Sequence, residues 1–291
     1  RRIDNLISHN QTEAYVSLAI KSEFAERKIE IGLAKGHKTI KIDSQNMRAV
    51  DLAKEFAAVL IRPEDASLVH GSPSKRRAFL DSLLSRLSLR YALLLKEYNR
   101  VVEQRNAALK NYNDQSLPIW TQKFLELGSE IMALRERAIK RIAEIAQETY
   151  LELASDSKEL RLSLQSRGRD LEDLYLESKI EEEQRAITVV GPHRDDIAIF
   201  LDNYSVQTFG SRGEARTSSL ALKVAEYQLL KEKHGFAPLL LLDDFSAELD
   251  LNRRGFILEL ASNTPQAIVT GTEAPPKYEH IYQVAGGVVG G

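Results

Sequence analysis

Two neighbouring carboxylates, Asp243 and Asp244, stand at the end of the apolar run Leu239–Leu242. A buried strand that ends in acids at a sheet edge can offer one carboxylate to magnesium and the next to a hydrolytic water. In open parallel sheets the ligands gather at the carboxyl ends of the strands, where these acids would lie. The same residues also suit a buried strand followed by an aspartate that caps a helix, and LLLLDD alone does not separate the two. Upstream, Ser211-Arg212-Gly213-Glu214 opens an amphipathic stretch. Free backbone N–H groups and the helix dipole at such a mouth favour a phosphate. Gly213 permits close approach, Ser211 can donate a hydrogen bond, and Arg212 and Arg216 add positive charge. Taken by itself this turn is an ordinary capped helix start. Downstream, Ser246-Ala247-Glu248-Leu249-Asp250 and Thr270-Gly271-Thr272-Glu273 bring acids and hydroxyls after two successive apolar runs. Such groups can orient an attacking water and sense a γ-phosphate.

Two other clusters carry chemistry less directly. GPHRDD, Gly191 to Asp196, offers His193, Arg194, Asp195 and Asp196 in a turn, and a lone histidine there reads as a structural hydrogen bonder. Lys75, Arg76 and Arg77, with Arg86, Arg90 and Arg100 further along, could meet DNA phosphates. The competing reading is a solvated helix face salted with Glu97 and Glu103, and no aromatic residues interleave to form a stacking platform. The overall balance, 40 Lys and Arg against 42 Asp and Glu, leaves a formal charge of −2, so any nucleic-acid contact must come from local patches. The chain has no cysteine, which rules out disulfide and thiolate chemistry and fits a reducing cytoplasm. No stretch reaches the roughly 20 apolar residues of a membrane span, and the start is not a signal peptide. The chain opens Arg1-Arg2-Ile3 without an initiator methionine, and its natural N-terminus is expected further upstream.

The elements that must position these groups follow from periodicity. AYVSLAI, KIEIGLA and KTIKID, between Ala14 and Asp43, alternate as an antiparallel set with one solvated face. A short apolar run, Ala57 to Ile61, stops at Arg62-Pro63-Glu64-Asp65. Ser72-Pro73 starts a helix whose stripe runs from Leu80 to Ala108, and after Pro118 a second stripe runs from Trp120 to Ile145. The short connection predicts an antiparallel helix pair, each member on the order of 50 Å long. Leu160, Leu162 and Leu164 alternate as a strand, 170–185 reads as an acidic helix, and Ile187 to Val190 reads as a strand leading into GPHRDD. Ile197, Ile199 and Leu201 alternate again up to a turn at Asp202-Asn203. From Glu214 to Lys233 the spacing is helical and His234-Gly235 closes it. The order helix, strand (239–242), helix (252–262), strand (267–270) predicts a parallel sheet. The terminal glycines, Gly286, Gly287, Gly290 and Gly291, read as a fraying end.

In combination these stretches resemble a family. The helix-opening turn, LLLLDD, SAELD and the following TGT are similar to the head of ABC-type ATPases of the SMC and recombination-repair group. IRPEDASLVHGSPSKRRAFLD (Ile61 to Asp81), GPHRDD and FGSRGEARTSSLALKVAE (Phe209 to Glu226) narrow the resemblance to the RecF family of bacterial recombination mediators, from near Ala14 to the C-terminus. The resemblance implies an α/β ABC/SMC-like ATPase head, residues 1–71 and 186–291, with an inserted α-helical arm over 72–185. It implies an ATP-dependent protein of single-strand gap repair that binds duplex DNA near gaps, with slow Mg2+-dependent ATPase activity in the full-length family. Two copies would dimerise around two ATP molecules, with the mediators RecR and RecO as partners and RecA as the recombinase to be loaded. Carried over by motif, Asp243 would hold Mg2+ and Asp244 would be the acid beside the hydrolytic water. Ser211 and Gly213, within the turn that also holds Arg212 and Glu214, would grip the γ-phosphate of the other subunit's nucleotide. Asp250 would belong to the loop that crosses the interface, and Thr270 to Thr272 would stand where many relatives place a switch histidine.

One departure is an absence. No GxxxxGK[ST] sequence occurs in these residues, although the family carries one near its N-terminus. As it stands the chain is expected to bind ATP poorly or not at all by itself. A second functional class is therefore a non-hydrolysing protein-interaction module derived from such a head. A third, another SMC-type head, would carry a far longer arm than the one between Ser72 and Ala154.

Overall fold

The computed structural model describes residues 3–21, 26–48, 56–111, 114–154, 156–244, 250–272, 280–286 and 288–290. Contacts divide the chain into two units, Arg1–Ala57 and Ala58–Gly291. The first is an antiparallel sheet in the order β1 (Glu13–Lys21), β2 (Glu26–Ala34), β3 (His37–Ile42) and β4 (Gln45–Asn46). Register puts Val16, Leu18, Ile29, Ile31, Ile40 and Ile42 on one face and Lys28, Glu30 and Lys41 on the other, as the alternation requires.

The second unit begins with β5 (Ala58–Ile61) and contains a three-stranded parallel sheet in the order β10 (Ala267–Val269), β9 (Leu239–Leu242), β5. Ile61 pairs opposite Leu242, although the whole helical segment and another sheet lie between them in sequence. That other sheet is antiparallel and joins β6 (Leu160–Leu164), β7 (Ile197–Leu201) and β8 (Tyr204–Ser205).

Between β5 and β6 run α1 (Ser67–His70), α2 (Pro73–Leu87), α3 (Leu89–Lys110) and the 37-residue α4 (Leu117–Leu153), about 55 Å long at ~1.5 Å per residue. The first long helix expected from the sequence is thus two helices. Ser88 leaves helical geometry at φ −146, ψ 113, and its hydroxyl accepts from the Tyr91 N–H at 3.3 Å, so it stops α2 and caps α3. α3 and α4 are antiparallel: Arg105 reaches Thr121 at 3.1 Å, while Tyr91 meets Arg135 at 3.1 Å. α4 also packs along α7 (Arg212–His234), which follows the short α6 (Val206–Phe209). The buried side chains of α2, α3, α4, α7, β6, β7 and β9 form one continuous apolar cluster.

Residues Thr217 to Tyr227 of α7 are buried without a break. A helix buried on all sides belongs to a core, and its charged groups need partners. Lys223 pairs with Glu226, which accepts from Arg86 at 2.6 Å, and Arg86 also donates to the Ala58 carbonyl at 2.7 Å.

The expected strand at 187–190 is a loop. Thr188 N–H donates to Asn106 Oδ1 at 2.7 Å and Val189 N–H to Glu182 Oε1 at 3.0 Å, so side chains of α3 and of α5 (Leu171–Arg185) satisfy the donors that a neighbouring strand would otherwise take. GPHRDD continues this loop and is gripped from three helices. Arg135 donates to Pro192 O at 2.7 Å, Arg76 forks onto Asp196 at 2.7 and 2.8 Å, and Arg77 donates to Asp195 O at 2.6 Å. His193 accepts or donates at Tyr98 Oη, 2.7 Å away, and burial holds its imidazole down at about 4. Gly191 has φ 109, and an added Cβ would lie 2.8 Å from Tyr98 Oη and 3.0 Å from the Phe124 ring, so only glycine fits. At the C-terminus, where the glycines suggested fraying, β11 (Gln283–Ala285) and β12 (Val288–Gly290) form a hairpin with Gly286 at φ 58. Among the described residues no helix is long and apolar enough to cross a membrane.

Arg105 and Glu182 are each 1% exposed and pair at 2.5 Å. Arg105→Ala is expected to strand the Glu182 charge and cost about 3–5 kcal/mol in urea unfolding, with most of the loss recovered when Arg105→Met is combined with Glu182→Leu. A single-variant loss below about 1 kcal/mol would contradict the burial of that pair.

Candidate functional site

β9 delivers Asp243 and Asp244 to the carboxyl end of the parallel sheet, between the exits of β5 and β10. Pairing continues one residue past the strands: Asp243 N–H donates to Ile61 O at 3.0 Å and Thr270 N–H to Leu242 O at 2.8 Å. Thr270 ties the two acids together. Its hydroxyl donates to Asp243 Oδ1 at 2.8 Å and accepts from Asp244 N–H at 3.0 Å. Asp244 turns the chain at φ 52, a left-handed conformation that aspartate and asparagine tolerate better than most residues. Both acids are exposed. Two exposed carboxylates, one anchored by a hydroxyl, fit a magnesium ion that keeps water and phosphate oxygens in its shell. No group of three or more acids, cysteines or histidines able to hold a metal ion occurs among the described residues.

The second cluster is the mouth of α7. Ser211 caps it: Ser211 Oγ accepts from Glu214 N–H at 3.2 Å, and Ser211 N–H donates to Glu214 Oε2 at 2.7 Å. This reciprocal box is what Ser-x-x-Glu predicts. Glu214 Oε1 accepts from Lys158 Nζ at 2.5 Å. Lys158, with the Ser211 N–H next in strength, holds the Glu214 carboxyl down at about 2. Ser211 and Arg212 are exposed. A Cβ added to Gly213 would meet Arg253 Nη2 at 3.6 Å and Ser211 Oγ at 3.9 Å, ordinary contacts, so packing among the described residues does not demand glycine there.

Asp250 caps α8 (Leu251–Ser262), accepting from Arg253 N–H at 2.9 Å and pairing with the Arg253 guanidinium. Arg253 Nε donates to Thr217 Oγ1 at 2.7 Å, and Thr217 donates to Gly213 O at 2.9 Å. The relay Asp250–Arg253–Thr217–Gly213 therefore joins the start of α8 to the mouth of α7. The other residues of SAELD, 246–249, and Glu273 lie outside the described residues.

Sequence reasoning missed Arg253 and Lys158. Arg253 carried only its spacing of three from Asp250, and Lys158 carried no signal at all. It also missed β5 as the parallel neighbour that places Arg62 and Glu64 at the same sheet edge as Asp243. The proposed DNA patch needs correcting. Arg76 is buried, with its guanidinium taken up by Asp196 and by the carbonyls of Val69 and Gly71 at 3.0 and 2.7 Å, so it cannot reach a phosphate. Arg77 is half-buried on Asp195 O, and Lys75 alone of the three is exposed.

No protein-family model matches the chain. A DNA replication and repair protein RecF from Deinococcus radiodurans is 47% identical over 277 residues, spanning 94% of this chain and 77% of the relative. One from Acetivibrio thermocellus is 36% identical over 288 residues, 92% of this chain and 78% of the relative. Among solved structures, the recombination mediator protein RecF with ATPrS, of the RecFOR pathway, has a TM-score of 0.88 at 26% identity and covers 99% of this chain and 83% of that one.

Because the folded Glu214 carboxyl titrates at about 2 against an ordinary 4.5, the stabilisation it gives the cap is complete above pH 4.5, declines below that, and is gone once pH has fallen through about 2. The Ser211 amide resonance should thus hold steady from pH 7 down to pH 4 and move near pH 2; a midpoint near 4.5 would show that the box and Lys158 do not grip it.

Proposed function

The chain belongs to the RecF family of DNA replication and repair proteins, and from that premise we propose that it has an ABC/SMC-type ATPase head and is an ATP-dependent, DNA-binding recombination mediator of single-strand gap repair. The observation that supports this best is the Asp243–Thr270–Asp244 arrangement at the carboxyl edge of the parallel sheet. Asp243 would hold Mg2+, which when bound neutralises charge on the phosphates. Asp244 would accept the proton of the attacking water, and Thr270 would keep both acids in register in place of a switch histidine.

The mouth of α7 serves a second nucleotide. Ser211, Arg212 and Gly213 would meet the γ-phosphate held by another copy of the chain, with Glu214 fixing the cap and Asp250 standing where the two copies cross. Gly213 fits this role because an approaching phosphate, and no neighbour among the described residues, gives a reason for the missing Cβ. Two ATP molecules would then be sandwiched in a homodimer. Duplex DNA near a gap, RecR and RecO would be its partners and RecA the recombinase loaded downstream, with residues 72–185 acting as the arm of a head made by 1–71 and 186–291.

No GxxxxGK[ST] sequence is present in these residues, so the activity test needs a phosphate-loop segment of the family supplied ahead of Ile3. Slow Mg2+-dependent ATP turnover is then expected, falling roughly tenfold or more in Asp243→Asn and in Asp244→Asn, which keeps the left-handed turn. Unchanged turnover in both would overturn the assignment of the acids. Ser211→Arg should leave ATP binding intact and abolish ATP-induced dimers seen by light scattering, and normal dimers would refute action across the interface.

A further inference from the structure

The capping box at the mouth of α7 holds an electrostatic conflict. Glu214 satisfies the Ser211 N–H, but as a carboxylate it also sets a negative charge in the first turn of the helix that is read above as facing a phosphate. A glutamate there strengthens the cap and weakens an anion site. The conflict is resolved from outside the helix. Lys158 Nζ lies 2.5 Å from Glu214 Oε1 and 3.4 Å from Asp156 Oδ2. Lys158 belongs to the short segment between α4 and β6, and its position is set by the last turns of α4: Gln147 Nε2 donates to Lys158 O at 3.5 Å, and Gln147 Oε1 accepts from Leu160 N–H. Tyr150, on the same end of α4, is buried and lies within the field of Asp156, Lys158 and Glu214, its phenol pushed up to about 12 mainly by burial.

We infer that Lys158 is a positioning residue for association around nucleotide: it neutralises Glu214 so that the α7 mouth keeps its cap and still accepts the γ-phosphate of a second copy. This rests on the reading of Ser211 to Glu214 as a site acting across the dimer. It adds a role for a residue with no motif of its own, and it makes the end of the long helix part of the nucleotide-facing machinery. The neutralisation has a chemical signature that a purely structural lysine would lack. A glutamine at 214 can cap in the same geometry without the charge, so it should remove the need for Lys158.

The test uses this chain with a phosphate-loop segment of the family supplied ahead of Ile3, in three forms: Lys158→Ala, Glu214→Gln, and both together. Binding of a fluorescent ATP analogue to the separate subunits, ATP-induced dimerisation by sedimentation, and the melting temperature are measured for each. Lys158→Ala is expected to weaken ATP-induced dimerisation about tenfold, the scale of one charge-assisted contact, while leaving subunit ATP affinity unchanged and lowering the melting temperature by no more than about 4 °C, the scale of a half-exposed ion pair. The double variant should recover dimerisation to within about threefold of the parent. Wild-type dimerisation in Lys158→Ala overturns the inference, and so does a double variant no better than Lys158→Ala. Failure of the underlying reading looks different: Ser211→Arg would then dimerise normally whatever stands at 158.

Discussion

The structure depends on the complete burial of one helix. Residues Thr217 to Tyr227 of α7 have no solvent face, so α4, α2 and the parallel sheet must all close on it. Burial on every side fixes the helix in translation and rotation, and its two ends inherit that precision. The N-terminal mouth, Ser211 to Glu214, is therefore not a mobile loop that happens to carry a serine. It is the exposed tip of a helix whose middle, Thr217 to Tyr227, is buried on every side. The charges buried along its length are paired, with Lys223, Glu226 and Arg86 linked through to the Ala58 carbonyl on β5. The helix and the sheet that carries the acids are thus held in one frame, as a site built on rigid elements requires.

A second set of buried charges does comparable work farther out. Arg76, Arg105 and Arg135, from three successive helices, converge on the loop from Thr188 to Asp196. Guanidinium groups suit this task because a planar fork can meet a carboxylate and several carbonyls at once. The loop holds no regular structure, yet the N–H groups of Thr188 and Val189 and the carbonyls of Thr188, Pro192 and Asp195 all find side-chain partners. The motif GPHRDD concentrates ionisable residues, and they are spent on contacts inside the chain, in keeping with the structural reading of His193.

Periodicity and motif made much of this legible. The alternation in β1 to β3, β6 and β7, the stripes of α3 and α4 and the run ending in Asp243-Asp244 each follow from a single physical pattern, burial of one face or one strand. The Ser211–Glu214 box was likewise written in Ser-x-x-Glu. What was not legible depended on partners distant in sequence. The break at Ser88 interrupts a stripe that continues with the same spacing on both sides. Residues 187–190 have strand composition, and only Asn106 and Glu182 decide otherwise. Arg76 reads as one more surface cation until Asp196, 120 positions away, is brought against it. Lys158 and Arg253 act through single contacts that no local pattern encodes.

The pairing of β5 with β9 has a consequence for how the chain acquires its shape. The central strand of the parallel sheet cannot find β5 until α1 to α7 and all three strands of the antiparallel sheet have been made. Closing so long a loop costs chain entropy before any contact repays it. During synthesis β5 would wait with both edges unpaired, and such an edge invites pairing with another chain. The intervening segment offsets this because it is mostly helix, held by contacts that are near in sequence, and it can fold early into a compact spacer that brings the ends together. The long helix pair thus shortens, in time as well as in space, the path between β5 and the strand that carries Asp243.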